Sequence, residues 1–290
     1  MSTTSSLPTA ETPPPLKHQR ALKWMCAGLG SLLIGGIVYS QPLGREIGVH
    51  VLGSFGPRAI PWLLSSFEDS DQNVRRVANE TICNLGPAAV PNLLVELKNS
   101  RPAIRADVVT LLSLPEIHVG QKSTVSAGLL KLLGDNNRLV QMAAINAIAT
   151  LGDAASLALP QLMTLLDDQD AETRIHALHA VVAIDRDSDK NLSVVLRMLK
   201  DAEPKVRADA CSMLENIGTQ DPRAVAALIE ALHDPAPEVR AGAADYLGEI
   251  GPAGKVAIPT LEVVAETDPN PDVRSQAAQS IKSLRALPAP

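Results

Sequence analysis

Aromatic residues are scarce in this chain: Trp, Tyr and Phe together make up 2% of its 290 residues. The hydrophobic fraction is 46% and consists mainly of aliphatic residues and alanine. β-Strands are enriched in aromatic and β-branched residues, whereas Ala and Leu favour helices and allow them to approach closely. The composition therefore predicts an all-α protein.

Cysteine is also rare. The three cysteines, Cys26, Cys83 and Cys211, form neither a disulfide framework nor a metal-ligand spacing. We expect Cys83 and Cys211 to be small buried apolar residues. Cysteine usage therefore argues against a disulfide-stabilised fold and leaves the redox compartment open.

Net positive charge is small and is limited to the N-terminal segment. Lys17, Arg20 and Lys23 against Glu11 give residues 1–44 a net charge of +2, within a chain whose net charge is −6. The remaining residues therefore carry a net charge of −8. Because such a domain has no broad basic surface for phosphates, nucleic acid is not an expected partner.

Motifs that carry chemistry are absent as well. The sequence contains no glycine-rich phosphate loop, no nucleophile elbow and no Cys/His catalytic context. We therefore expect no enzyme activity, no cofactor, no metal and no small-molecule substrate.

The chain does contain a recurring pair of residues six places apart. An acidic residue or its amide comes first, and Arg or Gln follows, in Asp69/Arg75, Asn99/Arg105, Asp135/Gln141, Asp168/Arg174, Asp201/Arg207, Asp234/Arg240 and Asp268/Arg274. Successive second members, here called reference residues, lie 30 to 36 residues apart. A period in this range indicates a stack of supersecondary units that bury their apolar faces against one another.

Each unit has the pattern of two helices. Before the reference residue, apolar residues lie one, three and four positions apart from one another, as Leu63, Leu64 and Phe67 do. This spacing indicates a first helix. Apolar residues three and seven places after it, as in Ala78 and Ile82, fix the buried stripe of a second helix. Second helices are expected to end at glycines, namely Gly86, Gly152, Gly218 and Gly251. First helices are expected to begin at prolines, namely Pro61, Pro91, Pro160 and Pro259.

This pattern, as in AIPWLLSSFEDSDQNVRRVANETICNLGP, resembles the HEAT-repeat family over about residues 56–286, or seven helix pairs. The resemblance implies an α-solenoid, a right-handed superhelix in which Asp and Arg of adjacent units form an internal ladder. The third unit departs from the pattern, with Gln141 in place of Arg and a longer insert between Pro115 and Ser123. Residues 43–55 are expected to form a lone capping helix, and residues 287–290 a C-terminal tail.

The N-terminus predicts membrane targeting. Residues 1–16 are expected to be disordered, and residues 17–42 to form a transmembrane signal anchor that contacts the membrane through residues 24–43. The basic flank predicts a cytoplasmic N-terminus, with the repeats on the non-cytoplasmic side. The alternative is a signal peptide cleaved before Gln41, because Val38 and Ser40 suit its −3 and −1 positions; the repeats would then be secreted or periplasmic.

The candidate binding surface lies at positions 2, 5 and 9 after the reference residue of each second helix. Second helices line the concave wall in HEAT-like stacks, so these columns are expected to form a polar groove for a protein or peptide. Its candidate residues are Glu80, Asp107, Thr110, Asn146, His176, His179, Asp209, Ser212, Asp245 and Gln279, with Gln276 in the same columns.

Two enzymatic alternatives use the same repeat. His176, His179 and Asp209 could bind a metal, because two imidazoles and a carboxylate form a common ligand set. The HEAT-like deoxyhypusine hydroxylases carry His-Glu dipeptides as iron ligands, and none of the six histidines here is followed by Glu. The HEAT-like phycobilin lyases share a similar repeat, but a membrane-directed N-terminus argues against that activity.

Overall fold

The computed structural model describes residues 42–185, 187–217 and 221–287. Every regular element in these ranges is helical, which confirms the predicted all-α class. The predicted disordered segment, almost all of the predicted transmembrane segment and Gly218 lie outside the described residues. The chain divides into two units, Met1–Glu96 and Leu97–Pro290, which are described separately.

The described residues of the first unit, 42–96, form four α-helices, α1 (Pro42–Gly53), α2 (Ile60–Ser65), α3 (Gln72–Leu85) and α4 (Val90–Glu96). Helix α1 packs against α3, and α2 packs against the same helix. Short 3-10 segments at Gly56–Ala59, Ser66–Glu68 and Gly86–Ala89 connect or extend these helices. Residues 42–96 therefore include one complete helix pair, α2 and α3, against which α1 packs.

The second unit alternates first and second helices, with one short extra helix. The first helices of this unit are α7 (Lys122–Leu129), α9 (Leu159–Leu165), α11 (Ser188–Met198), α13 (Pro222–Ala231) and α15 (Ile258–Thr267). The second helices are α5 (Pro102–Ser113), α8 (Arg138–Leu151), α10 (Ala171–Ile184), α12 (Pro204–Asn216), α14 (Pro237–Glu249) and α16 (Pro271–Ala286). The extra helix, α6 (Pro115–His118), lies in the longer insert.

The helix boundaries follow the chemistry of their terminal residues. The four predicted prolines all lie in the first turn of a first helix, where the missing N–H has no intrahelical partner to lose. The carboxylate of Asp170 caps α10 by accepting a hydrogen bond from the Thr173 N–H at 3.0 Å. Gly86, Gly152 and Gly251 adopt positive φ angles of 55°, 62° and 85° after second helices, as predicted.

The core consists of the predicted stripes. Three places after each reference residue lies a side chain that is 0% exposed, namely Ala78, Val108, Ala144, Ala177, Ala210, Ala243 and Ala277. These small residues allow second helices to pack on one another: α8 contacts α5 and α10, and α14 contacts α12 and α16. Cys211 is fully buried, as predicted, whereas Cys83 is partly exposed.

One stretch of the described residues, Arg138–Leu165, is long and apolar enough to cross a membrane by length and composition. It is not one continuous α-helix, because α8 and α9 are separated by the 3-10 segment Gly152–Ala158, in which Ala155 has non-helical angles. Its apolar side chains supply the repeat core, including Ile145, Ile148 and Leu162, each 0% exposed. The hydropathy of this stretch is therefore explained by the packing of the repeats.

Candidate functional site on the second helices

An internal Arg–Asp ladder joins consecutive repeats of the second unit. At each step the arginine at the reference position donates two hydrogen bonds to the carboxylate of the next repeat, at 2.6–2.9 Å, in Arg105–Asp135, Arg174–Asp201, Arg207–Asp234 and Arg240–Asp268. The same guanidinium donates through Nη1 to a carbonyl oxygen of its own turn, at 2.8 Å in all four cases. The ladder therefore couples the turn of one repeat to the stacking of the next.

The ladder residues are buried and their carboxylates are stabilised as anions. The side chains of Arg207 and Asp234 are each 11% exposed. Burial, the largest single influence, would raise the pKa of Asp234, but the hydrogen bonds from Arg207 and the Ala236 N–H and the charges of Arg207 and Arg240 together outweigh it, and the net pKa is lowered. The pKa of Asp268 is lowered chiefly by its hydrogen bond from Arg240.

The third repeat departs from the ladder, as its Gln141 predicts. Gln141 Nε2 donates to the carbonyl oxygen of Leu133 at 2.8 Å and therefore stays within its own repeat. Arg138, three residues earlier, contacts the Asp168 carboxylate at 3.4 Å and also pairs with Asp170. This substitute pair is more exposed, at 41% for Arg138 and 26% for Asp168. Within the first unit, Arg45 Nε of α1 lies 3.0 Å from Asp69 Oδ2.

The candidate surface residues all lie on second helices, outside this buried ladder. Glu80 belongs to α3 of the first unit and accepts a hydrogen bond from Arg76 at 2.8 Å. The other nine belong to the second unit, where Thr110, Asn146, His179 and Gln279 are exposed and Asp107, His176, Asp209, Ser212 and Asp245 are partly buried. Burial raises the pKa of Asp107.

Three pairs of these residues form direct contacts, here called the surface rungs. In each rung a position-5 side chain of one repeat meets the position-2 side chain of the next. Asn146 Oδ1 lies 2.7 Å from His176 Nδ1, His179 Nε2 lies 2.8 Å from Asp209 Oδ2, and Gln276 Nε2 donates to Asp245 Oδ1 at 2.6 Å. The hydrogen bond that His179 donates to the Asp209 carboxylate raises the pKa of His179, because it stabilises the imidazolium.

The structure does not form the arrangement that the metal-binding alternative needs. His179 contacts Asp209, whereas His176 contacts Asn146 instead of joining them. Within the ranges that the structure describes, no group of three His, Cys, Asp or Glu side chains is placed to hold a metal ion. His176 and His179 therefore belong to two different rungs.

Two features of the site were missed by reasoning from the sequence. The first is the pairing of positions 5 and 2 across repeats, because the columns alone do not show which side chains face each other. The second is a further six-residue pair, Asp185 and Asn191, in which Asn191 Nδ2 donates to the Asp185 carbonyl oxygen at 2.7 Å, as the ladder arginines do. Its six-residue spacing is present in the sequence, but Asn191 lies in first helix α11, whereas the recurring pairs place their second member in a second helix.

Residues 90–181, 126–202 and 192–282 match the family model for HEAT repeats. Together these matches span residues 90–282, more than half of the chain, so the chain belongs to the HEAT-repeat family. No curated protein matches its sequence significantly.

Solved structures with a similar fold include repeat proteins of different lengths. A chain from a structure of Kap95p and RanGDP has a TM-score of 0.54 at 13% identity, over 78% of this chain and 35% of that one. YibA of Escherichia coli has a TM-score of 0.52 at 18% identity, over 77% and 92%. An engineered protein has a TM-score of 0.51 at 18% identity, over 96% and 87%. At these identities the similarity shows the fold alone.

Proposed function

We propose that this protein is a membrane-anchored HEAT-repeat scaffold that binds a protein or peptide through the face formed by its second helices. The proposal assigns it recognition and no catalysis. Repeat stacks commonly present an extended concave surface to a partner. Kap95p, which shares the fold, binds RanGDP.

The observation that carries this proposal is the separation of buried and surface polar groups on the second helices. The repeats are held together by the Arg–Asp ladder and the buried alanine stripe, so positions 2 and 5 are not needed to form the core. In the second unit these positions contain Asp, His, Asn, Gln, Ser and Thr, apart from Ala143 and Gly242, with no Lys or Arg. The rungs hold several of these side chains in fixed positions, which lowers the entropy cost of binding.

The membrane part of the proposal is supported by α1. Leu43, Ile47 and Val51 follow one another at four-residue intervals and are 68%, 52% and 41% exposed; Phe55, just after the helix, is 52% exposed. Residues spaced in this way share one side of a helix. The uncharged run that begins at Trp24 leads directly into α1 along the sequence. An exposed apolar side next to such a run suits contact with the membrane interface.

Site-specific photo-crosslinking tests the binding face. The photoreactive residue p-benzoylphenylalanine would replace Ser212, on second helix α12, or Ser193, on first helix α11, in the full-length chain expressed in its own cells. The two serines are matched, because each hydroxyl donates to a backbone carbonyl oxygen of its own helix, at 2.7 and 2.9 Å. We expect a discrete crosslinked protein from position 212 and none from position 193. Crosslinking from position 193 alone would refute the proposed face.

Carbonate extraction and mass spectrometry of the mature N-terminus test the anchor. We expect the protein to remain in the membrane pellet with residues 24–43 present. A mature chain that begins at Gln41 would refute the anchor and favour the secreted alternative. A Ser193→Cys variant that a membrane-impermeant maleimide labels in intact cells would place the repeats on the non-cytoplasmic side.

A further inference from the structure

The proposed binding face of the second unit contains one carboxylate that has no partner within the protein. Asp209 accepts a hydrogen bond from His179, and Asp245 accepts one from Gln276. Asp107, on α5, is the third acidic candidate residue of this unit, and its side chain is partly buried. Among the described residues, no hydrogen bond or ion pair reaches its carboxylate. The stack therefore leaves the charge of Asp107 unpaired.

The fold gives no reason for an aspartate at this position. Helix α5 begins at Pro102, so Asp107 lies beyond the first turn, the part of a helix whose N–H groups stabilise a carboxylate. Ile104 and Leu111, three residues before it and four after it, share its side of the helix and are 2% and 1% exposed. Burial raises the pKa of Asp107, and no hydrogen bond offsets this effect. The charged carboxylate therefore costs the folded state free energy instead of stabilising it.

No surface rung forms between α5 and the next second helix, α8. Ala143 occupies position 2 of α8, where a rung residue would stand, and its side chain has no polar group. Thr110, three residues after Asp107, is exposed, and its hydroxyl donates to the carbonyl oxygen of Ala106 at 3.0 Å. Because no rung covers this step, Asp107 keeps a solvent-exposed part that a partner can reach.

The charge of the face as a whole has one sign. Positions 2, 5 and 9 of the second unit contain Asp107, Asp209, Asp245 and Glu249 and no Lys or Arg. The other residues of these columns are neutral or histidine. A surface of this kind attracts a positively charged segment and repels a negatively charged one.

We infer that the partner presents a basic segment to the second-unit face, and that Asp107 accepts a hydrogen bond from a lysine or arginine side chain of this segment. The inference rests on the proposed function and adds to it the chemistry of the partner. A partly buried carboxylate has lost part of its hydration, so a charge-assisted hydrogen bond to it gains more than one to a fully exposed carboxylate. Asp209 and Asp245 keep their rungs and contribute only to the field of the face.

Binding of a defined basic peptide to the full-length protein in non-ionic detergent tests the inference. The probe is fluorescein-labelled pentalysine amide, and the control peptide has every lysine side chain acetylated, which removes the charge. We expect pentalysine to bind with an affinity that Asp107→Asn lowers at least fivefold in fluorescence anisotropy. The matched control is Glu266→Gln, because Glu266 on first helix α15 is exposed and also has no partner among the described residues. That variant removes the same charge and should change the affinity less than twofold.

Two outcomes of the titration would overturn the inference. Equal losses of affinity in Asp107→Asn and Glu266→Gln would show that pentalysine responds to net charge alone. Binding of the acetylated peptide as strong as that of pentalysine would show that the face does not select cations, and so would the absence of pentalysine binding.

Thermal unfolding of the same variants separates a binding role from a structural one. Asp107→Asn removes a partly buried charge that has no partner, so the melting temperature should stay equal or rise. A lower melting temperature would give the carboxylate a structural role and overturn the inference.

Crosslinking distinguishes failure of the inference from failure of the proposed function. p-Benzoylphenylalanine would replace Thr110 or, as the matched control, Thr267 on α15, because both are exposed and both hydroxyls donate to the carbonyl oxygen four residues earlier. We expect a partner adduct from position 110 alone, reduced at least fivefold by Asp107→Asn. An adduct that Asp107→Asn leaves unchanged would overturn the inference and leave the binding face correct. The absence of adducts from both position 110 and position 212 would refute the proposed function, and the inference with it.

Discussion

The Arg–Asp ladder and the surface rungs join the same second-unit repeats in different environments. Ladder side chains such as Arg174 and Asp201 are 10% and 11% exposed and form two hydrogen bonds at each step. In the rung between His179 and Asp209, the side chains are 44% and 21% exposed. Because a buried charge depends on its partner and an exposed one is solvated by water, a similar inter-repeat spacing gives a contact that the fold needs in the ladder and one that the fold can lose in the rungs.

This difference indicates which polar residues evolution can change without loss of the fold. Each ladder arginine also holds the turn of its own repeat, so its replacement disturbs two contacts at once. A rung residue such as Asn146 contacts one side chain of the neighbouring repeat. The rung positions are therefore free to vary, while the ladder positions are fixed by the stack.

The largest expected effect is the loss of the whole ladder in acid. The pKa values of Asp135, Asp201, Asp234 and Asp268 are all lowered from the ordinary value of 3.8. A lowered folded-state pKa gives stability that is present above pH 3.8 and is lost as the pH falls through the folded-state values. Urea unfolding followed by circular dichroism should therefore show a steep decrease of the unfolding free energy below pH 4. A flat profile between pH 5 and pH 2 would contradict a structural ladder.

Removal of one ladder arginine should have the next largest effect. Arg207→Ala leaves the Asp234 carboxylate buried without its cation and should lower the unfolding free energy by about 2–4 kcal/mol in urea. The matched control is Arg197→Ala, because Arg197 also pairs with a carboxylate of the neighbouring repeat, that of Asp167. Both side chains of this pair are exposed, at 47% and 72%. That change should cost about 0–1 kcal/mol. Equal losses in the two variants would remove the distinction between buried and exposed pairs.

The two glycines of α14 extend the comparison from charge to packing. Gly248→Ala forces a Cβ against Ser280 and should cost about 1–3 kcal/mol by overpacking. Gly242→Ala has space for its Cβ and should stabilise the protein by about 0.5–1 kcal/mol, because alanine is the better helix former. Thermal unfolding of both variants measures the difference in sign. Destabilisation by Gly242→Ala would contradict the space that the structure leaves for a Cβ at this position.

The periodic parts of this structure could be predicted from sequence, because each position of the repeat occurs seven times along the chain. The fully buried alanines and the helix-ending glycines follow from spacing and backbone preference alone. The ladder came from the family resemblance, and the structure contains it. Contacts that occur once could not be predicted, such as the replacement of Gln141 by Arg138 as the partner of Asp168.

The unpredictable part of the candidate site depends on the offset between neighbouring helices. Position 5 meets position 2 of the next repeat only because the two helices are displaced along each other, and a single sequence does not contain that displacement. For the same reason Gly242 and Gly248 look equivalent in sequence. Only the packed helices show that Ser280 blocks one of them and that the other faces ordinary contact distances.

The smallest expected effect is that of the His179–Asp209 rung. It should occur at a higher pH than the ladder effect and with the opposite dependence on pH. The folded-state pKa of His179 is raised above 6.5, so the stability it contributes is present below pH 6.5 and is lost as the pH rises through the folded value. His179→Gln should remove this loss in urea unfolding between pH 5.5 and 8.5 while the acid response of the ladder is unchanged. Because both side chains are partly exposed, added salt should weaken the His179 effect more than the ladder effect. A wild-type pH profile above 6 that His179→Gln does not alter would show that the rung contributes nothing to stability, and the comparison would then depend on binding alone.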